Sequence, residues 1–227
     1  GLGDVYKRQT VNHTQWSYTD TRTLTDNDYT YQVRIIDQAG NVGSTAQQVV
    51  TVDTTPPVTK GTIVSYTDTD GERTGVFGEN VSTDDTTPLI SGTLNQGLAA
   101  GEIAQLYRDG VLLGQVTMNG ATSWYFQDSG LRDGNHNYVL RITDVAGNYT
   151  DSNDFVLKVD TSIPTTTATI AAQTTPDTTP ILNGTVSAAL TNGEYLVVTV
   201  NGKTYTSEAG GAVVVLSLIH ISEPTRH

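Results

Sequence analysis

The sequence predicts an all-β chain of tandem β-sandwich repeats, one complete and two truncated. Three observations predict it. The segment Arg34-Ile-Ile-Asp37-Gln-Ala-Gly-Asn41, followed by Val52-Asp53-Thr54-Thr-Pro-Pro57, returns as Arg141-Ile-Thr-Asp144-Val-Ala-Gly-Asn148, followed by Val159-Asp160-Thr161-Ser-Ile-Pro164. Both aspartates recur after 107 residues, and a fixed period with repeated turn chemistry marks repeated domains. Apolar residues alternate with period two, no stretch has a helical period, and turn residues recur roughly every eight to twelve positions, the spacing of a sandwich of short strands.

The bulk numbers fit this class and exclude others. At 227 residues the chain holds one to two domains. A net charge of −12 argues against nucleic-acid partners and anionic membrane surfaces, and suits divalent cations. Apolar runs are too short for membrane insertion. With no cysteine, stability must come from core burial, from metal, or from both. The two tails stand apart. Residues 1–9 and 216–224, read antiparallel, pair codon for codon, as if encoded by opposite strands of one DNA. That DNA resembles a sequencing-library adapter, so residues 1–9 and 216–227 are expected to be adapter-derived and are set aside.

Residues 10–57 read as the C-terminal half of a repeat. Trp16 and Tyr18 alternate as in a half-buried strand, and Leu24-Thr-Asp26-Asn-Asp28 turns the chain. Tyr31, Val33 and Ile35 share a face, the Asp37–Asn41 turn follows, and residues 46–52 close the sheet before Pro56-Pro57, which cannot donate ladder hydrogen bonds.

Residues 58–164 form the complete repeat. Residues 63–66 open it, 67–85 read as a polar acidic loop, and 89–94 as a strand. Residues 103–108 and 111–118 flank Asp109-Gly110, the pair that favours a two-residue type I′ hairpin. Trp124 and Phe126 share a face, as do Tyr138, Leu140 and Ile142, and Phe155, Leu157 and Val159 alternate in the last strand. About seven short strands so arranged, with Trp124 central, point to an immunoglobulin-like sandwich. The run Leu131-Arg-Asp133-Gly134 before Tyr138 predicts a tyrosine corner, its hydroxyl bonded to the backbone.

Residues 165–215 start a third repeat. Asp177-Thr-Thr-Pro180-Ile-Leu-Asn-Gly-Thr185 matches Asp85-Thr-Thr-Pro88-Leu-Ile-Ser-Gly-Thr93, and Asn201-Gly202 matches Asp109-Gly110, both at an offset of 92. The third repeat therefore lacks most of the acidic loop.

Together, Asp84-Asp-Thr-Thr-Pro88, Tyr107-Arg-Asp-Gly110, Ser123-Trp124, Leu131-x-Asp-Gly134, Asp144-x-Ala-Gly-Asn148 and Val159-Asp160-Thr161 resemble the bacterial Ig-like repeats of large type I-secreted surface adhesins and biofilm-associated proteins. The resemblance covers residues 10–215. It implies a non-catalytic extracellular spacer on a bacterial cell surface, whose partners are the neighbouring Ig-like repeats of the same chain. It also implies calcium stiffening the junctions between domains.

Calcium takes six to eight oxygens, mostly from carboxylates and carbonyls. Asp68, Asp70 and Glu72 put three acids at alternate positions of the 67–85 loop. Arg73 stands where a helix-flanked calcium loop needs glycine, so only a generic acidic cluster is expected. Asp53 closes the preceding repeat, and with Asp37 and the 68–72 acids it is expected to build a site at the first junction. Asp144 and Asp160 are the equivalents at the second junction, where the partner loop is missing and a weaker site is expected. These aspartates are equally the ordinary residues of turns and solvated surface. A catalytic constellation is not expected, since no phosphate loop, zinc-binding helix motif or cysteine cluster occurs. Two other readings stand beside the spacer. One is a module binding a glycan or host surface, for which Tyr66, Phe77, Tyr107 and Tyr149 are the aromatics to inspect. The other is an accessory module of a secreted hydrolase.

Overall fold

A computed structural model describes residues 14–191, 193–208, 211, 213 and 214. The two tails, 1–9 and 216–227, lie outside the described residues. The chain divides into two units at Thr161/Ser162, and each is taken by itself.

The first unit opens with a hairpin, β1 (Asn27–Ile36) and β2 (Val42–Val52), turned at Asp37–Asn41. The complete repeat follows. One of its sheets runs in the order β4 (Gly75–Phe77), β3 (Gly61–Asp68), β6 (Leu89–Leu94), β10 (Ser123–Gln127), β9 (Thr117–Asn119). The other runs β5 (Ser82–Thr83), β13 (Phe155–Val159), β11 (Gly134–Thr143), β7 (Ile103–Arg108), β8 (Val111–Gln115), with β12 (Tyr149–Asp151) also paired to β11. All pairings are antiparallel except β5 on β13.

The alternation read from sequence becomes the core. Ile63, Tyr66, Ile90 and Trp124 from one sheet meet Leu106, Tyr138, Leu140, Ile142, Phe155 and Leu157 from the other. Trp124 is 2% exposed, and Gly92 on β6 makes room for it. A Cβ at that glycine would lie 2.5 Å from the indole. Asp109 and Gly110 have φ of 53° and 79°, as a type I′ turn requires.

Four expectations change in detail. The stretch 111–118 is not one strand. It leaves the β7 sheet after Gln115 and joins the opposite sheet as β9, with Val116 buried at the crossing. The 67–85 segment is not all loop, since it carries β4 and β5. Tyr138 donates its hydroxyl to the Asp128 carboxylate at 2.6 Å, not to the backbone. Trp16 and Tyr18 lie outside any strand and are 72% and 66% exposed. Their counterparts on β10 sit between β6 and β9, and the first repeat holds no match for β6 to pair with them.

Among the described residues the second unit holds two antiparallel pairs, β14 (Ala168–Ile170) with β15 (Gly184–Val186), and the hairpin β16 (Val197–Val200) with β17 (Lys203–Thr206). Asn201 and Gly202 adopt the same positive-φ turn as Asp109 and Gly110. Ile170, Ile181, Leu182 and Val197 are exposed. At the 92-residue offset β15 corresponds to β6, and β16 and β17 to β7 and β8. No described strand of this unit corresponds to β10, β11 or β13, which cover the equivalent residues in the complete repeat.

Candidate functional site: the acidic C-terminal pole of the sandwich

β3 carries Asp68 to the end of the sandwich where the chain leaves it. There Asp68 is 3% exposed, accepting from the Thr83 hydroxyl at 2.6 Å and from the Asp70 amide at 3.1 Å. Asp85 is fully buried beside it. One of its oxygens accepts from the Thr69 amide and hydroxyl, the other from the Thr87 amide and hydroxyl. The Asp85 amide in turn donates to the Thr83 hydroxyl. Threonine thus supplies the donors that let two carboxylates be buried within one loop, since an unpaired buried charge is costly.

The parallel pairing of β5 with β13 fixes where this loop lies. It sets Thr83 beside Val159, and the Asp160 amide donates to the Thr83 carbonyl at 2.9 Å. Asp133 is at the same pole, accepting from the amide and hydroxyl of Thr161. Asp70 and Asp84 are exposed, and a Cβ on Gly71 would sit 2.1 Å from a carboxylate oxygen of Asp84. The crowding is electrostatically visible. The charge of Asp85 chiefly, then burial and the charges of Asp84 and Asp68, hold the Asp70 carboxyl above its usual range. Glu72 is exposed in the same loop.

The predicted acids therefore sort differently from expectation. Asp37 and Asp53 do not meet. They lie at opposite ends of the β1–β2 hairpin, because antiparallel pairing places the turn a full strand length, roughly 30 Å, from the closing residue. Asp144 and Asp160 are separated the same way along β11. The N-terminal pole instead brings the Asp144–Asn148 turn to Asp53, through Asn148 Nδ2 donating to the Asp53 carbonyl at 3.0 Å. The acids 68–72 fall at the C-terminal pole with Asp160, so the acidic loop sits at the end where the chain leaves the sandwich and not at the end where it enters. Asp37 and Asp144 each accept from the amide and side chain of the asparagine four residues on. For Asp37 these bonds depress the carboxyl pKa against a small opposing cost of burial, and for Asp144 they outweigh burial, the largest single influence. Both are turn-forming residues in this structure. Among the described residues, no three of His, Asp and Glu are grouped so as to hold a metal ion.

The four aromatics fare as follows. Tyr66 is in the core with its hydroxyl on the Val81 carbonyl, and burial pushes its pKa up to about 12. Phe77 packs against the core beneath Arg73, whose guanidinium is 5.1 Å from the ring centre. Tyr107 and Tyr149 flank Arg141 at 4.9 and 3.7 Å, and Arg141 is forked onto Asp151. Of the four, Tyr149 is the most exposed residue, at 51%, with the Arg141 guanidinium over its ring.

Sequence reading missed Asp128 and Arg108. Arg108 Nη1 lies 2.7 Å from Asp128 Oδ2, which also receives the Tyr138 hydroxyl. Arg108 entered the sequence reading only as the last residue of the 103–108 strand, and Asp128 had no assigned role. The one available signal was Arg108 on the strand of the buried Ala104 and Leu106, two residues past Leu106 on the same face.

The fold and its poles define a tandem Ig-like β-sandwich protein. The chain belongs to the bacterial Ig-like domain family, which matches residues 1–54 and again 60–161. It is also 31% identical, over 214 residues and 91% of its length, to a protein named Exoglucanase B from Cellulomonas fimi. The chain spans only 17% of that relative.

Proposed function

We propose that this segment is a non-catalytic spacer of a secreted bacterial protein, a run of Ig-like repeats that holds other modules away from each other or from the cell surface. The observation that carries the reading is the repeat itself. Equivalent residues recur after 107 positions, and the family matches twice in succession. A stack of sandwiches joined end to end is an extended object whose length scales with repeat number.

Two settings fit a spacer. The adhesin setting rests on the ordered motifs named above. The hydrolase setting rests on the likeness to a region of Exoglucanase B, and there the repeats would separate domains of a glycan-degrading enzyme. Reading the open reading frame on both sides of this segment decides between them. Further repeats favour the adhesin. A glycoside hydrolase domain favours the accessory module, and neither would leave the spacer reading without a host.

Calcium enters this proposal at the C-terminal pole. The crowding of Asp70 by Asp85, Asp84 and Asp68 supports it, because a divalent cation would relieve that repulsion. The lack of a three-acid group among the described residues means that a cation must draw Asp70 and Asp84 into position. The raised Asp70 pKa fixes the sign without metal. The folded state favours the protonated carboxyl, so the stability is present below the unfolded value near 3.9 and is lost as pH rises through the folded one. At neutral pH the Asp70 charge opposes folding. Asp70→Asn is therefore expected to raise the melting temperature in chelator and to abolish any further rise on adding calcium. Asp53→Asn is expected to keep the calcium increment. An increment lost in Asp53→Asn and kept in Asp70→Asn would put the cation at the other pole.

A further inference from the structure

We propose that the segment joining the hairpin to the complete sandwich is gripped from both sides by side chains, so that this joint is fixed without metal. The inference deepens the spacer reading and rests on it, since a spacer of this kind needs defined joints.

The segment is residues 53–60, Asp-Thr-Thr-Pro-Pro-Val-Thr-Lys. Its two prolines have fixed φ and no amide donor, so it starts from a restricted ensemble. From the hairpin side, Asp26 takes all the donors of the Thr54-Thr55 pair but one. Its Oδ1 accepts from the Thr54 amide at 3.0 Å and hydroxyl at 2.7 Å, and its Oδ2 accepts from the Thr55 hydroxyl at 2.6 Å. The remaining donor, the Thr55 amide, goes to Asp53 Oδ1 at 3.0 Å.

From the sandwich side, two places hold the same segment. Asn148 Nδ2 donates to the Asp53 carbonyl at 3.0 Å, and Thr150 Oγ1 to the Pro57 carbonyl at 2.9 Å. Across the pole, Asn95 accepts from the Lys60 amide at 2.8 Å and reaches the Val58 carbonyl at 3.4 Å, and Gln96 meets the Thr59 hydroxyl at 3.3 Å. Pro57 and Thr59 are buried beneath these contacts. Asn148 and Thr150 are 95 and 93 residues from their partners, so these are tertiary contacts and not local turns.

Two recurring motifs thereby acquire roles. The aspartate of Leu-x-Asp (Asp26, Asp133) fastens the departing Asp-Thr segment to the repeat it leaves. The same two bonds recur at Thr161, from its amide and hydroxyl to Asp133. The asparagine of Asp-x-Ala-Gly-Asn, together with the residue two further on, receives the arriving segment on the repeat it enters. In the first repeat that second position is Gly43, which offers no hydroxyl. A socket there has one contact fewer than the socket at Thr150.

The absence of cysteine allows spin labels to be placed at will. Labels introduced by Gln47→Cys on the hairpin and Thr117→Cys on the sandwich report the joint in the full chain by pulsed dipolar spectroscopy. In chelator the distance distribution is expected to be single and narrow. Thr150→Val, which keeps the shape and removes one donor, is expected to broaden it, and Asp26→Asn combined with Thr150→Val to at least double its width. The melting temperature of the complete sandwich, followed alongside, should hardly move, which separates a loosened joint from a loosened domain. A broad distribution in chelator that narrows with calcium would overturn the clasp while leaving the spacer reading intact. Breadth in both conditions would overturn the clasp and count against a stiff spacer as well. A narrow distribution unchanged by the variants would also overturn the clasp, because other contacts would then set the joint.

Discussion

Replacing Trp124 by Ala lowers the stability of the complete sandwich by about 3–5 kcal/mol, the cost of deleting a large buried aromatic and leaving its cavity. The side chain is 2% exposed and is among the largest fully buried in the protein. Its indole lies over Gly92 of β6, so the neighbouring strand has no side chain with which to fill the space. The loss is a large share of the whole stability of a small domain, about 5–15 kcal/mol. Urea unfolding followed by far-ultraviolet dichroism reads it as a fall in midpoint. Trp124 Nε1 is buried without an acceptor, so Trp124→Phe discards an unsatisfied donor along with the lost volume. It is expected to recover most of the difference. Equal losses for Ala and Phe would mean that the indole is held by something other than packing.

Asp128→Ala is expected to cost a similar amount, about 3–5 kcal/mol, because removing one member of a buried ion pair leaves its partner uncompensated. Asp128 stands where the two sheets meet. It accepts from Arg108 on β7 and from the Tyr138 hydroxyl on β11, and its own amide donates to the Pro88 carbonyl ahead of β6. The Asp128 side chain is 5% exposed and that of Arg108 22%, so water replaces little of what is lost. Burial chiefly, then the bond to Asp128 and its charge, raises the Tyr138 pKa well above the ordinary tyrosine value, which keeps the hydroxyl a donor at any physiological pH. Tyr138→Phe removes only that donor and is expected to cost about 1.5–3 kcal/mol, the range for a hydrogen bond to a charged group. An Asp128→Ala loss no greater than that of Tyr138→Phe would show that the Arg108 pair adds nothing.

The strands were legible because a sandwich strand writes itself as alternation. The 89–94 and 103–108 strands stand in the structure with the limits read from the sequence, as does the Asp109-Gly110 turn. What was not legible depended on which end of a strand meets which. Asp37 and Asp53 are neighbours in the order of the motifs, yet hairpin geometry sends them to opposite ends. The 68–72 acids follow the first junction in sequence, yet β3 carries them across the sandwich to the other pole. The crossing at Val116 was hidden because the apolar run Val111–Leu113 followed by Val116 and Met118 reads as one continuous strand, and only pairing partners separate β8 from β9. Asp128 was hidden for a different reason. A buried carboxylate is defined by its donors, and Arg108 and Tyr138 reach it from 20 and 10 residues away.

The most direct test of the spacer account is to stretch the full chain through its ends, one molecule at a time. A sandwich that bears tension as a unit is expected to give one discrete unfolding step. Its contour gain should be about 300–350 Å, the reach of about 100 extended residues less the folded length. A smooth extension without that step would contradict the account, because a chain that yields continuously cannot hold attached modules at a fixed distance.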